Sequence, residues 1–333
     1  MYTSQLLEES KKISDLTEEW SILQAKSLTK TVFQTQVFQS TWWETLGQGK
    51  RILIAIRNEE NQLVALAPTF LHDNSGVSQL SLLGCVNVSD YLDVLVVDDE
   101  NENVESIYSS ILSAVDQIPW DKLFWCSLPE KSVTRAYLKK FFAEKGSLNE
   151  SIQDAVPVIY LPQTWEEYLV SVGRKQRHEI RRKERKLGEV QHEYIVLENP
   201  SGSDVEDFIE LHKQSSHEKN EFWDDNHLRF FRNLIPALAS DNRVKLFFLK
   251  VEGVRVASML AFDEPESLAL YNSGFSSGTH DELSIGSNLI AYTIRYAIEQ
   301  KKQTYDFLRG DEAYKFRFGA IRTNVYDIEI ARS

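Results

Sequence analysis

The chain has 333 residues, 42% hydrophobic and 26% charged, with a formal net charge of −13. That length accommodates two domains with real cores, the acidity argues against broad nucleic-acid binding by the whole surface, and no uninterrupted apolar run reaches the roughly 18 residues of a membrane span. Met1 to Trp20 lacks the basic-then-apolar layout of a signal peptide, and two cysteines, Cys85 and Cys126, make neither a disulfide framework nor a metal site, so a reducing cytoplasm is expected.

In chain order, 51–56 and 63–70 read as a hairpin turned at Asn58-Glu59-Glu60-Asn61. Residues 80–83 and 91–97 are further strand candidates. Ile107, Ile111, Leu112 and Val115 share one stripe of a helix over 104–117. The run 123–126, closed by Leu128-Pro129, is the next strand. A short strand over 157–162 marks a boundary. Thr164-x-x-Glu167 then has capping-box spacing ahead of Trp165, Tyr168 and Leu169, and Ser203-x-x-Glu206 repeats it ahead of Val205, Phe208 and Ile209.

The opening order then recurs. Residues 244–251 and 256–262 form a hairpin about Glu252-Gly253, 268–275 a third strand, 286–300 a helix with Leu289, Ile290, Ile294, Ala297 and Ile298 inward, and 305–308 a last strand. Element order repeats while residues do not, which predicts a tandem duplication with halves at 1–160 and 161–333. Between the halves, Arg174, Lys175, Arg177, Arg181, Arg182, Lys183, Arg185 and Lys186 stand against only Glu179 and Glu184, a local +6 over 174–188. The run is either a site for an anionic partner or a solvated helix face packed through Ile180 and Leu187.

The segment 304–315 carries the strongest chemical signal. A β-type run with Tyr305, Phe307 and Leu308 empties into Arg309-Gly310, then acidic residues and a Tyr314-Lys315 pair. Strand ends of this kind are where α/β proteins place ligands. The phrase Asp306-Phe307-Leu308-x-Gly310-x-Glu312-x-Tyr314-Lys315 resembles the signature of the CelD-like (cellulose-biosynthesis type) branch of the GNAT acyltransferases, a branch related to the Fem-type peptidyltransferases. The resemblance covers most of 162–320. It includes the helix start at Trp165, the basic helix ending Arg185-Lys186-Leu187, the strand from Tyr271 to Gly274-Phe275, and Gly286 to Leu289. In the first half it is carried by Phe38-Gln39-Ser40-x-Trp42 and Ala65-Leu66-Ala67-Pro68.

The resemblance implies an α/β (mixed α+β) fold of tandem GNAT-like domains, each a mixed twisted sheet flanked by helices. It implies an acetyl- or acyl-coenzyme A donor, a small-molecule amine acceptor and no metal. The donor's pyrophosphate would sit at the strand-to-helix junction Ser284-Ile285-Gly286-Ser287-Asn288, on backbone N–H groups and the helix dipole, with Arg177 and Arg181 as further anion ligands. The junction has one Gly and no leading Arg, unlike the usual GNAT loop, and Ser284 reads equally as an ordinary N-cap. Acyl transfer to an amine needs a base and a leaving-group acid. Asp306, Glu312 and Tyr314 are the candidates, with Tyr271, Arg309 and Lys315 toward the substrate; for Asp306 a brace paired with Arg309 or Lys315 is the preferred reading.

Two other chemistries are excluded. Gly274-x-Ser276-x-Gly278 matches a nucleophile-elbow pattern, but no helix follows directly and only His280 lies downstream. The remaining histidines lack metal-ligand spacing. The sequence therefore reads as a cytoplasmic N-acyltransferase. An aminoacyl transferase using tRNA is the runner-up, and a non-catalytic binding module a third class.

Overall fold

The computed structural model describes residues 2–8, 16–85, 88–278 and 280–332, and forms two compact units, Met1–Asp154 with Asn324–Ser333, and Ala155–Thr323. The first unit contains β1 (Thr3–Leu7), α1 (Thr17–Ala25), α2 (Gln36–Leu46), β2 (Lys50–Arg57), β3 (Leu63–Asn74), β4 (Val77–Leu82), β5 (Leu95–Val96), α3 (Val104–Gln117), β6 (Lys122–Pro129), α4 (Thr134–Phe142) and the start of β7 (Gly146–Tyr160). The second holds the end of β7, then α5 (Trp165–Ser171), α6 (Gly173–Leu187), β8 (His192–Leu197), α7 (Gly202–Ser215), α8 (His217–Glu221), α9 (Asp225–Ser240), β9 (Val244–Val251), β10 (Val254–Asp263), β11 (Ser267–Phe275), α10 (Ile285–Glu299), β12 (Thr304–Asp306) and α11 (Ala313–Arg317). The last strand, β13 (Ile321–Arg332), pairs with β6 through residues of the first unit.

In the first unit β1 to β4 form an antiparallel meander, as the 51–70 hairpin predicts. Its turn is held by Asn58, whose side-chain oxygen accepts from the backbone of Glu60 and Gln62. The chain then crosses through α3, which buries the predicted stripe, and β6 lies parallel to β4 from Gln79↔Lys122 to Ser81↔Phe124. The strand expected over 91–97 shrinks to two residues, Leu95–Val96. The cause is Asp93, a buried carboxyl around which the chain bends instead of extending. It accepts from its neighbour Val94 N at 2.8 Å, from Thr29 Oγ1 at 3.1 Å, and from the Thr134 hydroxyl. Burial raises its pKa, opposed by these hydrogen bonds.

Just beyond the β4–β6 pairing, Cys85 and Cys126 are joined by a disulfide across Cα atoms 5.8 Å apart. The sequence reading gave them no partnership, because only the parallel crossover brings positions 41 residues apart together. No helix among the described residues is long and apolar enough to cross a membrane.

The second unit repeats the plan: β8, β9, β10 and β11 are antiparallel neighbours, α10 crosses over, and β12 lies parallel to β11. Its core packs Tyr168, Ile180, Leu187, Leu289 and Ile294 from the helices against Phe247, Met259 and Leu270 from the sheet. The Thr164–Glu167 capping box forms as predicted. The second expected box does not. The cap of α7 is Ser201 with Asp204 at its third position, and Glu206 pairs with Arg232 on α9 instead. Pro200 ends the preceding segment, so the helix starts two residues earlier than Ser203 suggested.

Replacing Asp93 by Ala strands at least one buried donor in a dry site. Chemical denaturation should show a loss of about 2–3 kcal/mol, with Asp93→Asn losing less.

Candidate functional site: a wedge between two parallel strands

Pairing of β11 with β12 lasts three rungs, from Ser267↔Thr304 to Ala269↔Asp306, after which β12 ends and β11 runs on to Phe275. Directly past the last rung β11 bulges. Ala261 faces Leu270 and Leu260 faces Asn272, leaving Tyr271 as the extra residue. Tyr271 turns onto Phe231 and Phe262, at 5.8 and 4.6 Å between ring centroids. Tyr271, Asn272 and Ser273 are half-buried in mid-strand, so this edge of β11 opens to solvent.

The facing wall is the predicted 306–315 phrase. Leu308 and Gly310 take positive φ values of 55° and 113°, and the Asp306 carboxylate accepts from Leu308 N at 2.7 Å. Asp306 thus shapes the turn. Lys315 is buried, and its ammonium donates to the carbonyls of Arg309 and Gly310 at 2.7 and 3.0 Å while meeting Glu312 Oε2 at 2.9 Å. The expectation that Lys315 faces substrate is not met in this geometry: its charge goes into the loop. Glu312 keeps a half-exposed side chain. Tyr314 packs edge-on to Phe307, and its hydroxyl bonds to no described residue. Burial, then the charge of Glu312, holds its pKa far above the ordinary phenol value, so it is protonated at neutral pH. Arg309 is half-buried on the same loop.

Beyond the open edge stands the N-terminus of α10. Ser284 occupies the cap position in the left-handed region, φ 51°, with no side-chain capping bond, so it is not an ordinary N-cap. A Cβ on Gly286 would meet only the Phe275 ring, at 3.5 Å. Ser287 Oγ accepts from Lys183 Nζ at 3.1 Å. Asn288 is buried; its Nδ2 donates to Leu283 O at 2.8 Å, and its Oδ1 has no partner. On α6, Arg181 turns to Glu166 at 2.9 Å, and Arg182 to Glu179. Arg177 is half-buried and meets no described carboxylate. The cation that reaches the α10 terminus is therefore Lys183, which the sequence reading passed over among eight similar residues.

Two more groups were missed. Gly274 lets α7 lie directly on β11, since a Cβ there would fall 2.4 Å from His212 N. That contact buries His212, whose Nδ1 accepts from Trp223 Nε1 at 3.0 Å. Burial, then the charge of Lys219, lowers the His212 pKa to about 3. Lys219, on α8, donates to the carbonyl of Ser273 on the open edge. Only the Gly274 pattern was visible in sequence, where it was read as a rejected elbow. A separate groove of about 780 Å³ along α7 contains none of these residues, and its Arg255 is already paired with Asp204 and Asp207. Among the described residues no three His, Cys, Asp or Glu gather as a metal site.

Residues 174–316 match the profile of a family described as an acetyltransferase (GNAT) domain. The whole chain is similar in structure to FemX (TM-score 0.68, 13% identity, 93% of this chain and 95% of that one). It is also similar to L-PGS from Bacillus licheniformis (TM-score 0.59, 10% identity, 95% and 91%). A third likeness is to a tandem GNAT protein from the clavulanic acid biosynthesis pathway (TM-score 0.50, 8% identity, 99% of each chain). No protein of curated function matches the sequence. At such identities the likenesses show the fold, which is tandem GNAT-like with mixed sheets and flanking helices.

Gly274→Ala should cost about 1–3 kcal/mol or more through overpacking against α7. Gly286→Ala should fold at least as stably as wild type, since Ala favours a helix over Gly; paired urea melts read both. His212 takes a proton in the unfolded chain near pH 6.5 and in the folded one only near pH 3. Stability should therefore be lost as pH falls through that window, by up to about 1.4 kcal/mol per pH unit. The part of that slope owed to His212 should vanish in His212→Gln.

Proposed function

We propose that the chain is an N-acyltransferase that moves an acetyl or longer acyl group from acyl-coenzyme A to an amino group of a sugar or other small metabolite. The carrying observation is the half-open β11 edge, which ends beside a helix N-terminus already furnished with Lys183 and Ser287. A pyrophosphate suits such a terminus, with free N–H groups, a favourable dipole and a cation within reach. An amide-bearing arm suits a strand edge left open before Phe275, whose N–H goes to Ser215 Oγ at 2.9 Å.

In this reading the acceptor nitrogen attacks the acyl carbonyl carbon at the bulge. Glu312, whose half-exposed carboxylate stands two residues before Tyr314, takes the ammonium proton. The C–S bond breaks, and Tyr314 gives its proton to the departing thiolate, regaining one from solvent. Asp306 and Lys315 hold the loop that carries both groups, while Tyr271 and Arg309 line its mouth. Among the described residues of the first unit, the space past the parallel rungs is crossed by the Cys85–Cys126 bridge. The CelD-like phrase suggests polysaccharide or envelope metabolism.

A second reading, an aminoacyl-tRNA donor, is favoured by one observation. Arg174, Lys175, Arg177, Arg185 and Lys186 on α6 meet no carboxylate among the described residues, as a phosphate-tracking face requires.

Thiol release from acetyl-coenzyme A, followed across a panel of amino sugars, tests the first reading. Lys183→Met should raise the donor KM, and Tyr314→Phe should lower kcat by about 10²–10⁴-fold with KM little moved. Wild-type kcat in folded Tyr314→Phe would move the acid elsewhere. Tight, salt-dependent tRNA binding without acetyl-coenzyme A turnover would favour the second reading.

A further inference from the structure

Among the described residues Lys219 is a cation without a counter-charge. Its ammonium is half-buried where α8 meets β11, and of its three N–H donors one goes to the carbonyl of Ser273. No described carboxylate lies within ion-pair distance. Glu312, the acidic residue whose charge reaches it, is already held by Lys315 at 2.9 Å. His212, on α7, supplies no negative charge, and its Nδ1 is taken by Trp223. Burying an ammonium without a partner is costly. This one borders the half-buried residues Asn272 and Ser273, directly past the Tyr271 bulge, at the edge that the acyltransferase reading gives to its ligands.

We propose that Lys219 binds an anionic substituent of the acyl acceptor, a carboxylate or phosphate carried on the same molecule as the reacting amine. The inference rests on the acyltransferase reading and deepens it, giving the acceptor class as amino-acid-like or acidic amino-sugar compounds. The ligand's anion completes the ion pair that the fold leaves open. The two uncommitted N–H donors provide the hydrogen bonds, and the loop carrying Glu312 and Tyr314 stands across the wedge. A Lys219 that served only to tie α8 to β11 would give no preference among acceptors.

The test compares acetyl transfer to glucosamine, glucosamine 6-phosphate and 2-amino-2-deoxyglucuronic acid in wild type, Lys219→Arg and Lys219→Met. At least one acidic sugar should show a KM about 10- to 100-fold below that of glucosamine, as expected for a charged hydrogen bond. That ratio should fall toward one in Lys219→Met and be largely kept in Lys219→Arg. Which acid is preferred separates phosphate from carboxylate. Equal KM values in wild type, or a preference that survives Lys219→Met, would overturn the proposal.

If no amine is acetylated, the acyltransferase reading fails, and anion binding is still decided separately. At constant ionic strength, inorganic phosphate or acetate should raise the melting temperature of wild type more than that of Lys219→Met. Equal shifts would overturn the proposal.

Discussion

The site depends on a parallel strand pair that stops after three rungs. A longer β12 would satisfy the backbone of β11 and close the sheet, leaving nothing for a ligand to bind. Two features keep it short. The Tyr271 bulge turns the β11 edge away, and the 306–310 turn, with Leu308 and Gly310 at positive φ, carries the chain off the sheet plane. Such a turn is strained unless its surroundings hold it. Here the holder is Lys315, a buried ammonium satisfied by loop carbonyls and by Glu312. The residues of the 306–315 phrase are thus split between building the wall and lining it.

The other side of the wedge rests on close packing. With no Cβ at Gly274, α7 approaches β11 backbone to backbone, and α8 follows near enough for Lys219 to reach Ser273. α6 plays the matching part at the far end, where Ile180 and Leu187 anchor it in the core and Lys183 extends to the first turn of α10. Most of its remaining cations stay in solvent or pair locally, at little energetic consequence. The two units share one order of strands and crossover helix, yet the Cys85–Cys126 bridge spans the space past the parallel rungs of the first, while the described residues of the second leave that space unbridged.

The elements legible in sequence were those whose signal is local. The hairpins, the α3 and α10 stripes and the Thr164 box all follow from periodicity or spacing within a few residues. The 306–315 phrase was found because its residues are contiguous. What was missed is set by distant partners. Asp93 draws donors from Thr29 and Thr134 and so breaks a strand that its neighbours favour. Cys85 meets Cys126 only through the crossover. Lys183 differs from Arg181 by half a turn of helix, enough to send one to Ser287 and the other to Glu166. Lys219 and His212 sit in no pattern at all, and become visible only once Gly274 brings α7 against the strand.

The central claim is that the open edge of β11 and the start of α10 receive the donor. Amide hydrogen exchange with and without acetyl-coenzyme A tests it most directly, because an occupied edge exchanges slowly whatever the acceptor. The account predicts slowed exchange at 270–275 and 286–288, with no change at 82–85 or 126–129. Protection confined to those first-unit segments, or no protection at saturating ligand, would contradict it.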